Sequence, residues 1–116
     1  MSANCLFCKM LKGEIPVTKI FENEKVFAIE DIHPQAKIHW LFLHKNHTAN
    51  ISEMSQQPET IADIFKGIAE FTNFNPIHQS GFRVVTNLGP DAGQSVFHTH
   101  FHVLGGEELG PFGRRR

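Results

Sequence analysis

The chain has 116 residues, of which 41% are hydrophobic and 20% are charged. These fractions are typical of one globular domain and argue against a disordered or fibrous chain. The formal net charge of −1 argues against a protein that coats nucleic acid, because such proteins carry a basic excess. There is neither an apolar run of roughly 18 residues nor the h-region of a signal peptide, so we expect no membrane contact and a cytoplasmic location.

The eight histidines are unusually many for this length and indicate metal binding or acid–base chemistry. They do not form one terminal run, so they are not an expression tag. Cys5 and Cys8 form a C-x-x-C pair, which in a reducing cytoplasm indicates a metal-binding or redox-active site rather than a structural disulfide. The eleven phenylalanines, in a chain without tyrosine, are interpreted as core packing.

The hydrophobic pattern predicts a short helix over residues 5–12 and a long helix over residues 57–74. It also predicts five strands, at residues 17–21, 26–29, 38–43, 81–86 and 96–104. Helices and strands do not alternate regularly, which favours an α+β fold with an antiparallel sheet. We expect one domain over residues 1–104 and a tail over 105–116 that ends in three arginines, Arg114 to Arg116. An exposed sheet edge or helix face suggests a homodimer.

Apolar residues recur along the long helix with the spacing of a single buried face. These residues are Ile61, Ile64, Phe65, Ile68, Phe71 and Thr72. Pro58 fits the first turn, where its missing N–H costs nothing.

His98, His100 and His102 lie two residues apart on the last predicted strand. The period of a strand places all three side chains on one face, with Thr99 and Phe101 on the other. A single three-histidine metal site is awkward, because same-face neighbours along a strand are about 7 Å apart. The glycine-containing turn before them, residues 87–95, offers backbone N–H groups to an anion. The pattern therefore predicts a phosphate site with an imidazole facing it.

Four blocks of sequence resemble the histidine-triad (HIT) family. The first is GQSVFHTHFHVLGG at residues 93–106, which departs from the signature only at Thr99. The others are FCKMLKGEIP at residues 7–16, EDIHPQAKIH at 30–39 and NLGPDAGQSV at 87–96. The ending Leu104-Gly105-Gly106 is similar to the histidine-triad nucleotide-binding branch, because the dinucleoside polyphosphate hydrolase branch usually has Pro-Arg there.

This resemblance implies a hydrolase of purine nucleoside 5′-phosphoramidates or related conjugates such as AMP-lysine, acting through a covalent nucleotidyl-histidine without a catalytic metal. His100 matches the nucleophile, Ser95 and His102 match phosphate-contacting positions, and His39 matches a position near the leaving group. Asp31 matches the acceptor of the ribose hydroxyls. The implied nucleotide-binding residues are Ile29, Asp31, Ile32, Asn87, Gly93, Gln94, Ser95, Val96, His100 and His102, with Ile29 and Ile32 as walls of the base pocket.

The resemblance also implies a structural zinc ion. Its ligands would be Cys5, Cys8, His47 and His98, a donor set that suits tetrahedral zinc. His44 is a nearby alternative ligand. His33 and His78 have no assigned role and are expected to be exposed.

Two other functions stay open at this point. One is the hydrolysis of dinucleoside polyphosphates. The other is a nucleotide-binding regulatory protein whose hydrolysis is incidental.

Overall fold

Five antiparallel strands form one sheet in the order β1-β2-β3-β5-β4, in a computed structural model that describes residues 4–111 and 113. The strands are β1 (Lys19–Glu22), β2 (Val26–Glu30), β3 (Ile38–His44), β4 (Phe82–Val85) and β5 (His100–Gly105). The helices are α1 (Leu6–Leu11), α2 (Ile51–Met54), α3 (Pro58–Thr72) and α4 (Ile77–Ser80), with a 3₁₀ turn at Pro90–Ala92. The predicted α+β class and five-stranded sheet are confirmed. The three arginines that end the predicted tail, at 114–116, lie outside the described residues.

Strand β3 is the centre of the sheet, between β2 and β5. On β5, His100 lies opposite Leu43 and His102 lies opposite Leu41, and opposed residues of an antiparallel pair share a face. Both histidines therefore lie on the face that carries a smaller core cluster, which consists of Phe7, Phe27, Ile29, Leu41 and Leu43. Helix α1 covers this face, since it supplies Phe7.

The opposite face of the sheet carries the larger core cluster and is covered by α3. Phe101 and Val103 of β5 belong to this cluster, together with Ile64 and Ile68 of α3. The predicted buried face of the long helix is correct except at Phe65, which is 52% exposed. Phe65 lies at the border of that face and contacts Phe101 only edge-on, with ring centroids 5.8 Å apart. Among the helices of the described residues, none is long and apolar enough to cross a membrane.

The last strand begins at His100, not at residue 96 as the alternation predicts. Residues 96–99 are not part of the strand. The N–H of Thr99 donates instead to the carbonyl of Thr48, in a loop, at 2.7 Å. The hydroxyl groups of Thr48 and Thr99 are also 2.7 Å apart. His98 therefore precedes the strand, and its side chain is directed into the protein, where it is 1% exposed.

Helices α2 and α4 are absent from the predicted elements. A capping signal precedes α2: the side chain of Asn50 accepts from the N–H of Glu53 at 3.0 Å, and the Glu53 carboxylate accepts from the N–H of Ala49 at 2.6 Å. An Asn followed three residues later by Glu is a recognisable helix start. This signal could have predicted α2 from the sequence.

Candidate active site and metal-binding cluster

A cleft of about 280 Å³ opens on the α1 side of the sheet. It brings together all ten residues that the family resemblance assigns to nucleotide binding. The cleft is also lined by residues that the sequence analysis did not assign to it, namely Leu6, Phe7, Met10, Glu30, His33 and Leu41. Leu6, Phe7 and Met10 belong to α1, and their apolar i, i+1, i+4 spacing was the available signal that α1 presents a face to a pocket or core.

A hydrogen bond to the backbone of His98 determines the tautomer of His100. Its Nδ1 lies 2.8 Å from the carbonyl oxygen of His98. A carbonyl can only accept, so Nδ1 carries a proton, and in the neutral ring Nε2 carries the lone pair. Because His100 lines the cleft, this imidazole offers an unprotonated nitrogen to a ligand there. A neutral imidazole with a free lone pair is a competent nucleophile.

His102 and His39 form a hydrogen-bonded pair behind the cleft. The N–H of Gln35 donates to His39 Nδ1 at 3.0 Å, so the proton of His39 resides on Nε2. This Nε2–H donates to His102 Nδ1, which is 2.8 Å away. His102 consequently carries its own proton on Nε2. The backbone of Gln35 thus sets the tautomers of both rings, and His102 is a hydrogen-bond donor at the cleft wall.

Asp31 follows β2 and is fixed by two neighbours. Its Oδ1 accepts from the N–H of His33 at 2.8 Å, and its Oδ2 lies 3.5 Å from His39 Nε2. The side chain lines the cleft with its carboxylate in one orientation, as an acceptor of ligand hydroxyls requires. Ile29, on β2, is buried, whereas Ile32 is 86% exposed at the rim.

The glycine-containing loop is shaped by Gln94. Its side-chain carbonyl accepts from the N–H of Gly89 at 3.0 Å, and its amide donates to the carbonyl of Ala49 at 2.8 Å. Gly89 and Gly93 have φ values of 88° and 83°, a region that favours glycine. The loop therefore holds Ser95 and the Gly93 backbone beside the cleft, and the two hydrogen bonds of the Gln94 side chain fix the loop's conformation.

A second site, beside the N-terminal half of α1, consists of Cys5, Cys8, His47 and His98. Their donor atoms all lie within 4.8 Å of one another. His98 Nε2 lies 3.1 Å from the carbonyl of His44, so Nε2 carries the proton and Nδ1 has the lone pair. This Nδ1 is 3.3 Å from Cys5 Sγ, 3.5 Å from Cys8 Sγ and 3.0 Å from His47 Nδ1. Two sulfur and two nitrogen donors at these spacings fit a tetrahedral metal ion, whose ligand atoms lie about 3–4 Å apart.

His44 is not a ligand, and the alternative that assigned it to the metal is wrong. Its Nε2 donates to Asp63 Oδ2 at 2.9 Å, and its Nδ1 accepts from the N–H of Asn46 at 3.0 Å. Both ring nitrogens are therefore used in hydrogen bonds. Its contribution to the cluster is the backbone carbonyl that fixes the tautomer of His98.

Comparison of the sequence and the structure with known proteins identifies the family. A family model of the HIT domain matches residues 12–109. The chain belongs to the HIT domain family. An uncharacterized HIT-like protein of Helicobacter pylori is 38% identical over 103 residues, which are 89% of this chain and 97% of that protein.

Solved HIT structures share the fold. A HIT family hydrolase from Clostridium thermocellum is 42% identical, with a TM-score of 0.89 over 97% of this chain and 98% of the other. A histidine triad nucleotide-binding protein from Candida albicans is 30% identical, with a TM-score of 0.80 over 97% of this chain and 86% of the other. The HIT family and fold expected from the four sequence blocks are therefore confirmed.

Asp31, His39 and His102 form another compact group of potential metal ligands in this HIT domain. A metal at His39 Nε2 would require the ring proton to move to Nδ1, where the N–H of Gln35 already donates. Two donors would then face each other. The hydrogen bonds thus favour a His39–His102 pair in which His39 Nε2 carries the proton, rather than a metal centre. The remaining histidines, His33 and His78, are exposed as predicted.

Burial keeps the inner histidines of the HIT site neutral. It lowers the pKa of His102 to about 4, with smaller contributions from His100 and His39. Burial also lowers the pKa of His39 from its ordinary value. Both rings are therefore uncharged at neutral pH, which is the state that the hydrogen-bond chain from Gln35 requires.

The stability of the protein is expected to fall as the pH drops from about 6.5 to about 4. In this window the unfolded chain binds a proton at His102 that the folded chain does not, because the folded-state pKa is about 4 against an ordinary value of 6.5. Protonation thus favours unfolding, by roughly 1–2 kcal/mol for this one group below pH 4, because solvent screening reduces the effect at a partly exposed ring. Urea unfolding between pH 7.5 and 4.5 measures the slope, and His102→Gln should make it shallower. An unchanged slope in that variant would show that His102 contributes nothing.

Proposed function

We propose that this protein is a nucleotide hydrolase of the histidine-triad nucleotide-binding branch, which cleaves purine nucleoside 5′-phosphoramidates and related conjugates such as AMP-lysine. The observation that carries the proposal is the hydrogen bond of His100 Nδ1 to the His98 carbonyl, which leaves the Nε2 lone pair of the neutral ring for attack. The names of the solved relatives, a hydrolase and a nucleotide-binding protein, support it.

Different residues of the cleft contact the base, the ribose and the α-phosphate of such a substrate. The base lies against Ile29 and Ile32, and Asp31 accepts the ribose hydroxyls. The α-phosphate lies between the loop that contains Gly93 and Ser95 and the two histidines of β5. Donors that point at the phosphoryl oxygens stabilise the charge that develops there, and the His102 Nε2–H is such a donor.

The reaction takes place in two displacements. His100 Nε2 attacks the α-phosphorus, the bond from phosphorus to the leaving nitrogen breaks, and the amine departs with a proton taken from solvent. Water then attacks the nucleotidyl-histidine and gives up a proton to solvent, the bond from phosphorus to Nε2 breaks with its electron pair returning to Nε2, and the nucleoside monophosphate is released. The Nδ1–H···O=C bond of His100 keeps the ring in the same tautomer at the start of each cycle.

The choice of substrate class is tested by comparing kcat/KM for adenosine 5′-phosphoramidate and for a diadenosine polyphosphate. We expect the phosphoramidate to be preferred by at least about tenfold, a difference of roughly 1.4 kcal/mol in transition-state stabilisation. The opposite order would assign the protein to dinucleoside polyphosphate hydrolysis. Tight binding of AMP without turnover of either substrate would favour a regulatory protein.

We also propose that Cys5, Cys8, His47 and His98 hold a structural zinc ion. The donor set and the converging atoms fit zinc. Bound zinc would cross-link α1 to the loop of His47 and to the segment before β5.

Protein purified without chelators is expected to contain about one zinc ion per chain. Elemental analysis by mass spectrometry measures this ratio. Cys5→Ala and His47→Ala should lose the metal because each removes a donor, whereas His78→Ala, which removes an exposed histidine, should retain it. A ratio near zero in the unmodified protein would contradict the assignment.

A homodimer is proposed on the edge of the sheet at β4. Among the described residues this strand pairs only with β5. Beside it an apolar groove runs between β4 and α3, lined among others by Phe65, Phe82 and Val84. A second copy related by a two-fold axis could pair its own β4 there and cover both grooves. Light scattering after gel filtration should give twice the chain mass, and Val84→Lys should halve it. A monomeric mass for the unmodified protein would reject the dimer.

A further inference from the structure

Helix α1 contributes residues both to the metal cluster and to the nucleotide cleft. Cys5 caps the helix and Cys8 lies within it, so two of the four cluster donors belong to α1. Leu6 and Met10 of the same helix line the cleft. The helix has only six residues, which is far too short to be stable by itself in water. Its position therefore depends on what it is attached to, and one of those attachments is the cluster.

Phe7 contacts both sites directly. Its side chain is 4% exposed. The ring meets the ring of His98 edge-on, with centroids 5.9 Å apart and planes at 86°. It meets the ring of His100 with centroids 5.1 Å apart and planes at 66°. Phe7 thus packs on a cluster histidine and on the proposed nucleophile at once.

His98 provides a second connection through the backbone. Its side chain belongs to the cluster, while its carbonyl oxygen accepts the Nδ1–H of His100 at 2.8 Å. A shift of His98 would therefore move the acceptor that orients His100. Both connections lead from the cluster to the same imidazole, one through a packed ring and one through a hydrogen bond.

We infer that Phe7 is a positioning residue through which ion binding at the cluster and nucleotide binding in the cleft strengthen each other. The inference rests on the proposed function, because it takes zinc and a nucleoside monophosphate as the two ligands. An ion that holds Cys5 and Cys8 keeps α1 against the cleft, and Phe7 transmits this position to His100. By linkage, the nucleotide must tighten ion binding by the same factor.

The first experiment measures the affinity for AMP of the zinc-loaded and the zinc-depleted protein by calorimetry. We expect the loaded form to bind about tenfold more tightly, within the usual range of coupling between two sites. In Phe7→Leu the two affinities should differ by less than about threefold, even if both are weaker. A merely structural role of Phe7 would weaken both forms and leave their ratio intact. Phe74→Leu alters an exposed phenylalanine and should keep the full ratio.

The second experiment starts from the loaded protein and measures the reciprocal effect, that of AMP on zinc retention. A chromogenic chelator competes for zinc at equilibrium, with and without saturating AMP, and a blank corrects for zinc bound by AMP alone. AMP should raise the apparent zinc affinity by the factor found in the first experiment. Identical zinc retention with and without AMP, or an unchanged ratio in Phe7→Leu, would overturn the inference. Absence of AMP binding to either form would overturn the proposed function and this inference together.

Discussion

His100→Ala is expected to lower kcat/KM for adenosine 5′-phosphoramidate by at least about 10⁴-fold, the order of effect seen when a covalent nucleophile is removed. No other imidazole on the described cleft wall has the same arrangement. His102 carries its proton on Nε2 because its Nδ1 accepts from His39, so it donates where His100 attacks. Steady-state kinetics with purified variants measures the effect.

The fold and the binding of nucleotide should survive this substitution. His100 is only partly buried, so its truncation leaves no enclosed cavity, and AMP affinity should change by less than about tenfold. Circular dichroism and calorimetry with AMP check these two points. His78→Ala, at an exposed histidine outside the cleft, should retain full activity. If His100→Ala turned over the substrate at the unmodified rate, the assignment of the nucleophile would be wrong.

Asp31→Asn is expected to weaken AMP binding by roughly 30–100-fold, about 2–3 kcal/mol for two hydrogen bonds to a charged acceptor. The Asn side chain can still accept from the N–H of His33 with its oxygen, as Asp31 Oδ1 does. Its NH₂ group would then occupy the place of Oδ2, where it would face the His39 Nε2–H and the ribose hydroxyls. A donor would replace the acceptor at the point where hydroxyls are bound.

The 2′-deoxy analogue isolates this contact. The unmodified protein should bind 2′-deoxy-AMP more weakly than AMP, and Asp31→Asn should bind the two nearly alike, because the carboxylate that distinguishes them is gone. Asp91→Asn, at an exposed aspartate of the 3₁₀ turn, is the matched control and should keep the preference. A preference for the ribonucleotide that persists in Asp31→Asn would place the ribose elsewhere.

Local pattern was sufficient for the sheet, whereas the family resemblance supplied the grouping of the site residues. The dense apolar run of β3 identified the central strand, and period-two spacing placed His100 and His102 on one face. The C-x-x-C pair at Cys5 and Cys8 pointed to a metal site, and the structure brings both cysteines to His47 and His98. The apolar run, the period-two spacing and the C-x-x-C pair each lie within a few neighbouring residues, whereas His47 and His98 are distant in sequence and were named only by the resemblance.

Features that depend on contacts distant in sequence were out of reach. The His39–His102 bond requires the register between β3 and β5, in which Leu41 lies opposite His102. The departure of His98 from the strand depends on Thr48, which captures Thr99 from a loop some 50 residues away. The place of Leu6 and Met10 in the cleft depends on how α1 docks, which its own periodicity cannot specify.

The central claim is that His100 attacks the α-phosphorus and becomes nucleotidylated. It is tested by quenching the reaction at alkaline pH during the first turnover, with a phosphoramidate whose leaving amine is good enough for formation of the intermediate to outpace its hydrolysis. Mass spectrometry of the digested protein should show one nucleotidyl group on the peptide that contains His100, and none in His100→Ala. Release of one equivalent of amine per chain while that peptide stays unmodified would contradict the account.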